Sequence, residues 1–322
     1  MPALANTFKT GAAVGNREEL SNVIDMITPE DTPVYSMIGT GSCDSIHPEW
    51  EVDELRAPGV NAQLEGDEYS YGAITPPSRY GNYTQIFRDS FIISRTQNKV
   101  DNAGSQEKEA KQKVKIGKAL RKDVEYSILS NTASFGGDPR VSAGLPTWLE
   151  TSTDRGVGGA DGGFAGGVTT VATDGTLRDL ARAQINGMMQ SVYSAGAEVK
   201  MLVMSPGAKA TFSTFLEDAG VVPLRSATSR GAKQVVIGNV DIYLSPFGEI
   251  AAVPDRVMAF DDLGRNAFGI DPEKAEWLWL RPFAEDSDVS RTGDAEKHVV
   301  VGEGCLKVDN EAAHFVIADL NS

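Results

Sequence analysis

The stretch Gln106-Glu-Lys-Glu-Ala-Lys-Gln-Lys-Val-Lys-Ile-Gly-Lys-Ala-Leu-Arg-Lys-Asp-Val-Glu-Tyr-Ser-Ile-Leu-Ser130 organises the chain. It consists almost wholly of strong helix formers. Ser105 precedes it as an N-cap, and the spacing predicts one long helix over residues 103–132. Ala110, Val114, Ile116, Leu120, Val124 and Ile128 supply its apolar side. Lys108, Lys111, Lys115, Lys118 and Lys122 recur at three- and four-residue steps and draw a basic stripe along one face. Such a stripe is either a solvated face or a contact for something acidic.

N-terminal to this helix, residues 46–96 read as two strands around a polar excursion. Ile46 to Leu55 alternates apolar and polar through Ile46, Trp50 and Val52. Residues 56–78 carry Pro58-Gly59, Glu65-Gly66-Asp67 and Pro76-Pro77. Tyr83 to Thr96 then returns with Ile86, Phe91, Ile92 and Ile93, and the two strands are expected to pair as a long hairpin. A hairpin with so little apolar surface is marginal alone. It is either a mobile loop or an arm ordered on a neighbouring molecule. Residues 1–45 read as an extended arm with a short helix after Asn16 through Leu20, Val23, Ile24 and Ile27. Pro29 and Pro33 stop that helix.

C-terminal to the helix, the glycine-rich run 154–168 reads as a flexible loop, because it fits no phosphate-cradling pattern. Residues 174–250 read as an α/β unit. A capping box of Thr176 and Asp179 opens a helix through Leu177, Leu180, Ala181, Ile185, Met188, Met189 and Val192, which stops at Gly196. A buried strand follows over Lys200 to Met204, then a helix opened by Ser205-Pro206 with Phe212, Phe215 and Leu216 facing inward. Strands are expected at Val235–Ile237 and Val240–Leu244. Residues 251–322 are strand-rich, with His298 to Val308 long enough for a central strand. The fold class is α+β.

Composition narrows the function. The 322 residues are 41% hydrophobic, enough for a sizeable core, and no apolar run reaches the ~18 residues that would span a bilayer. The opening residues lack a basic region followed by an apolar run, so no secretory signal is expected. Forty-five acidic against thirty basic residues give a formal charge of −15, which argues against a dedicated nucleic-acid binder but not against a protein that encloses nucleic acid without gripping it. Cys43 and Cys305 are expected as free thiols. His47, His298 and His314 have no histidine or cysteine at ligand spacing, so no metal site and no cofactor are expected. Nucleophile elbow, Walker loop and zincin motifs are absent, so no catalytic residues are assigned. Glu49, Glu51, Asp53 and Glu54 cluster on one strand. They read as an edge that discourages unwanted strand pairing or meets a basic partner, rather than as an acid–base pair.

The order of elements resembles the HK97-like fold of tailed-phage major capsid proteins. The sequence is similar to the SU10-type major head proteins in residues 16–39, His47–Asp53, Glu65-Gly66, Arg79–Ile86, Ile93–Gln97, Ser245–Gly248, Leu280–Pro282, Thr292–Asp294 and Asn310–Ala312. The resemblance implies an N-terminal arm (1–45), an E-loop over an adjacent subunit (46–96) and a peripheral domain (97–173) with its spine helix. An axial domain (174–250) and a return through the peripheral domain (251–322) complete it. It further implies homopentamers and homohexamers closing an icosahedral shell around double-stranded DNA, with portal, scaffolding and decoration proteins as partners and no membrane. The virion is the expected location and the host cytoplasm the place of assembly. Some relatives carry a long N-terminal scaffolding segment; this chain starts at the arm, so scaffolding is expected from elsewhere. The acidic group Glu49 to Glu54 and the lysine stripe Lys108 to Lys122 are expected to face each other between subunits. Three rivals remain open: an encapsulin-type compartment, a carboxylate-dependent hydrolase, and an accessory head or tail structural protein.

Overall fold

The computed structural model describes residues 32–69, 71–99, 108–218, 242–286 and 293–321. In chain order the elements are α1 (Pro33–Met37), β1 (Gly39–Ser42), β2 (Glu49–Val52), β3 (Ser78–Gly81), β4 (Gln85–Ser94), α2 (Arg95–Lys99) and α3 (Lys108–Leu129). Then come β5 (Thr153–Asp154), β6 (Gly163–Ala165), β7 (Val168–Thr170), α4 (Arg182–Ala195), β8 (Met201–Met204) and α5 (Pro206–Asp218). The chain closes with β9 (Ile242–Ser245), β10 (Gly248–Pro254), β11 (Ala267–Ile270), β12 (Ala275–Glu285), β13 (Ala295–Val308) and β14 (Phe315–Ile317). No helix among the described residues is long and apolar enough to cross a membrane.

Two sheets carry the body. The first runs β1-β12-β13-β4, with β1 parallel to β12 and the other pairs antiparallel. Helix α3 packs against this sheet through Ile116, Leu120, Val124 and Ile128, which are buried together with Phe87 and Trp277. Burying an aliphatic side chain of this size contributes roughly 1.5–3 kcal/mol, so these four positions fix the helix to the sheet. Ala110 and Val114, read from the sequence as part of the same apolar side, are exposed. The first two turns of α3 project beyond the core, so only the C-terminal part of the helix packs down. Of the expected helix 103–132, residues 103–107 lie outside the described residues and the helix ends at Leu129.

The second sheet runs β5-β14-β11-β8-β10-β9. Its β8 is buried at every position, as expected of an inner strand. Helices α4 and α5 cover it through Ile185, Met189, Val192, Ala208 and Phe212. Ser205 caps α5 by accepting a hydrogen bond from the Ala208 amide at 3.2 Å, and Gly196 ends α4 at φ 92°, a left-handed conformation that glycine adopts without steric cost. The sheet gathers strands from both sides of residue 250: β10 crosses that point, and β11 and β14 come from the C-terminal segment. The boundary expected at 250/251 therefore cuts through a continuous hydrogen-bonded sheet.

Three further expectations are corrected. β2 pairs with β3, in the register Glu49↔Gly81 to Val52↔Ser78, while β4 pairs over ten residues with β13. The strand over Tyr83–Thr96 is thus an edge of the body and not an arm of the hairpin. Phe87 is its buried contribution, and only the body supplies neighbours for it. The glycine-rich run 154–168 is built into the body. β6 and β7 form a tight hairpin through Gly166 and Gly167, both at positive φ, and a Cβ on Gly156 would lie 2.1 Å from the Thr176 carbonyl oxygen. These glycines permit close backbone approach rather than freedom. Helix α4 begins at Arg182, not after Thr176, because residues before it run beside the C-terminus: the Arg178 amide donates to Asp319 O (2.7 Å) and the Asn321 amide to Arg178 O (2.8 Å).

Of the described part of the expected arm, residues 32–45, the stretch 32–42 finds partners in its own chain. Val34 and Ile38 are buried, and β1 lies in register with β12 from Gly39↔Glu276 to Ser42↔Trp279. The expected helix after Asn16 and the strand over Val235–Ile237 lie outside the described residues. Both cysteines are free, Cys305 fully buried.

Candidate interaction surfaces

The β2–β3 hairpin stands on an aromatic base. The Trp50 Nε1–H donates to the Val308 carbonyl at 2.9 Å, and the Trp50 ring lies 5.5 Å from Trp148. Tyr80, directly across the ladder from Trp50, meets Phe164 at 5.0 Å, and Trp148 stacks on Phe164 at 4° between ring planes. Each such aromatic contact contributes roughly 0.5–1.5 kcal/mol beyond burial, so the base is held firmly to the body. From that base the chain leaves as a long exposed loop. Leu55 and Val60 are fully exposed, and Leu64, Tyr69, Tyr71 and Ile74 nearly so. Six large apolar side chains left uncovered along one loop mark it as a candidate interaction surface.

Of the acidic group, Glu49 pairs within its own hairpin, with Arg79 at 3.5 Å and His47 at 3.8 Å. Glu51, Asp53 and Glu54 are exposed at the foot of the loop, where the Asp53 carboxylate accepts the Glu54 amide at 2.9 Å. Along α3, Lys115 and Lys118 are exposed and Lys111 and Lys122 half-buried, with the Lys122 ammonium 5.7 Å from the Phe260 ring. The side chain of Lys108 lies outside the described residues. The structure thus places the acids at a hairpin base and the described lysines on a helix face. Beside α3, Gln85, Phe87, Arg88, Asp123, Tyr126 and Ser142 help to line an open groove of about 380 Å³.

Charged groups that no sequence pattern marks turn out to hold the body together. Glu303 is nearly buried and accepts hydrogen bonds from Thr84 (2.8 Å), Arg140 (2.6 Å) and Arg281 (3.0 Å). Burial raises its carboxyl, but Thr84 and the two guanidiniums outweigh that and hold it below the usual carboxylate range. Glu125, buried on α3, accepts the amides of Val34 (2.8 Å) and Tyr35 (2.7 Å) and so ties α1 to α3. Burial first, then the Asp255 carboxyl beside it, push Glu125 up to about 8. The Asp319 carboxylate accepts the amides of Gly156 and Gly175, both at 2.8 Å. These partners lie 22 to 219 residues apart in sequence, and several are backbone amides, so periodicity carries no trace of them.

The histidines divide. His314 is fully buried, with Nδ1 accepting the Asp271 amide at 3.2 Å and Nε2 facing the Lys274 carbonyl at 3.3 Å; burial keeps it neutral to lower pH. That is a structural histidine. His298 instead meets Glu109, Glu285 and Glu296 where the start of α3 crosses β12 and β13. Glu109, Glu296 and His298 each offer a donor atom within 4.8 Å of the others. The local spacing rule for ligands missed this group because its members come together only in space.

Comparison with known proteins agrees with this architecture. The family model described as SU10 major capsid protein matches residues 5–321. A major capsid protein of Escherichia phage Phieco32 is 28% identical over 242 residues, covering 63% of this chain and 68% of that protein. Among solved structures, the capsid of cyanophage P-SCSP1u superposes with a TM-score of 0.61 at 10% identity, covering 99% of this chain and 97% of the other. The SrpI encapsulin of Synechococcus elongatus superposes with a TM-score of 0.58 at 10% identity, over 99% and 97% of the two chains. At such identity these two likenesses establish the fold alone, the HK97-like α+β architecture.

Proposed function

Given that this chain belongs to the SU10 major capsid protein family and is a major capsid protein of a tailed phage, we propose that its copies assemble as pentamers and hexamers into a closed icosahedral shell around double-stranded DNA. Each loop from Asp53 to Pro77 docks on the neighbouring subunit. The observation that carries this reading is the loop itself, a firmly anchored base carrying six exposed large apolar side chains. Covering them is worth roughly 10 kcal/mol before ordering costs. A loop that stayed in solvent would gain nothing from such residues.

The same subunit carries the remaining parts of the proposal. The loop corresponds to the E-loop, residues 32–42 to the end of an N-terminal arm latched on its own spine helix α3, and the sheet around β8 to an axial domain. The formal charge of −15 opposes association, so apolar burial and local opposite charges must outweigh it. The exposed acids Glu51, Asp53 and Glu54 and the lysines of α3 supply such charges. The role is structural, not enzymatic. The shell forms in the host cytoplasm with portal, scaffolding and decoration proteins, and its acidic subunits leave the packaged DNA mobile. Repeated contacts make the whole far more stable than any one of them.

Replacing residues 56–76 by a short glycine–serine linker tests the reading. The subunit is expected to stay folded, because Trp50 and Tyr80 remain on their base, and to stop forming shells. Shells of normal size and stability from this variant would overturn it. The encapsulin likeness defines the second reading, a cargo compartment; nuclease-protected DNA inside purified particles separates the two.

A further inference from the structure

Where α3 begins, three elements converge on one imidazole. His298 and Glu296 lie two residues apart on β13 and so share a face. Glu109 comes from the first turn of α3, and Glu285 from the end of β12. His298 Nδ1 is 2.6 Å from Glu285 Oε1, and the ring stacks on Phe91 at 4.7 Å with 22° between planes. Carboxylate and phenyl ring together fix the orientation of the imidazole. With the Nδ1 proton given to Glu285, Nε2 is left with its lone pair. That atom is shielded from solvent, makes no hydrogen bond, and has a Glu109 carboxylate oxygen 3.3 Å away.

A lone pair facing a carboxylate oxygen is repulsive unless something positive sits between or beside them. The geometry points to a divalent-cation site formed by His298 Nε2, Glu109 and Glu296, with Glu285 as the positioning residue behind the imidazole. A carboxylate holding the far nitrogen of a ligating histidine is the usual way such a ring is oriented and made more basic. One imidazole nitrogen and two carboxylates suit a borderline ion such as zinc better than magnesium or calcium, which prefer all-oxygen shells. Lys113 is the resident competitor, bridging Glu109 at 2.9 Å and Glu285 at 3.1 Å, while Arg95 reaches Glu296 at 3.7 Å. The Lys113 side chain is partly exposed and free to swing outward once an ion takes its place. An ion here pins the projecting start of α3, whose Ala110 and Val114 have no core beneath them, to β13. The site is separate from the loop contact and does not depend on it.

Cobalt(II) titration of the purified full chain, followed by its visible absorption, tests the assignment. One equivalent per subunit is expected, displaced by zinc. His298→Gln and Glu296→Gln should abolish the spectrum, and Glu285→Gln should weaken binding roughly 10–100-fold. Lys113→Gln should tighten it, an effect no merely structural role of the cluster produces. Thermal unfolding in chelator checks that each variant is folded; the half-exposed Glu296 position is the one most tolerant of change. Absence of any cobalt spectrum at micromolar protein and metal overturns the proposal. Cobalt binding of equal strength in wild type and in a folded His298→Gln or Glu296→Gln variant overturns it as well.

Discussion

Asp255→Asn is expected to stabilise the subunit at alkaline pH and to do little at acid pH. Glu125 and Asp255 are both fully buried, side by side under α1. Glu125 accepts the Val34 and Tyr35 amides, and Asp255 Oδ1 accepts the Val257 amide at 2.8 Å. Burial, followed by the neighbouring Asp255 carboxyl, raises Glu125 from an ordinary 4.5 to about 8, with the two amides pulling the other way. Two buried carboxyls titrate as a pair, and the folded state keeps a proton that the unfolded chain releases. The sign follows: this contribution is fully present below pH 4.5 and is lost as pH rises through about 8. At about 1.36 kcal/mol per pH unit the whole effect is bounded near 5 kcal/mol. Burial is the larger cause, so the share belonging to Asp255 is about 1–2 kcal/mol. An asparagine keeps the acceptor for Val257 and offers Glu125 an N–H in place of the shared proton. Urea unfolding of unassembled subunits, followed by tryptophan fluorescence, should therefore show the variant more stable by that amount near pH 9 and about equal near pH 5. Hydrogen exchange at Val34 and Tyr35 should accelerate with pH in the wild type and less so in the variant. Equal effects at both pH values would refute the shared-proton account.

Glu303→Gln removes the charge that two partly exposed guanidiniums share and should cost roughly 1.5–3 kcal/mol in urea unfolding near neutral pH. Because the Glu303 carboxyl is depressed, that contribution exists above the ordinary carboxylate pKa and disappears as pH falls through the folded value, so the variant and wild type should converge in acid. Gly144→Ala should give insoluble protein, since its Cβ would lie 1.8 Å from the Ser130 carbonyl oxygen, and soluble, cooperatively unfolding protein would show that the backbone can yield. Reversing Lys111, Lys115 and Lys118 to Glu together should leave subunits soluble and impair assembly; particles indistinguishable from wild type by sedimentation would remove the lysine stripe from the contact.

Much of this fold is legible in sequence wherever a local rule governs. The apolar spacing of Ile116, Leu120, Val124 and Ile128, the Ser205-Pro206 helix start, the Gly196 stop and the long strand ending at Val308 are all set by neighbours within a few residues. What was not legible is set across the chain. Strand β4 looks like the return of a hairpin until β13, some two hundred residues later, supplies its ladder. The run at 154–168 looks flexible because glycine favours freedom in isolation, yet here it lets Thr176 and Pro146 approach the backbone. Ala110 and Val114 fit the helical period but extend past the end of the core. The interaction surface follows the same division. The polar, proline-broken composition of residues 56–78 marks a loop, while the burial of the Trp50, Trp148 and Phe164 base that makes it a fixed arm depends on three separate segments.

The most direct measurement is electron cryomicroscopy of particles assembled from the purified full-length protein. The account predicts closed shells in which density for residues 53–77 lies across an adjacent copy, with Leu64, Tyr69, Tyr71 and Ile74 covered there. A monodisperse monomer that never assembles, or shells in which that loop folds back onto its own subunit, would contradict it.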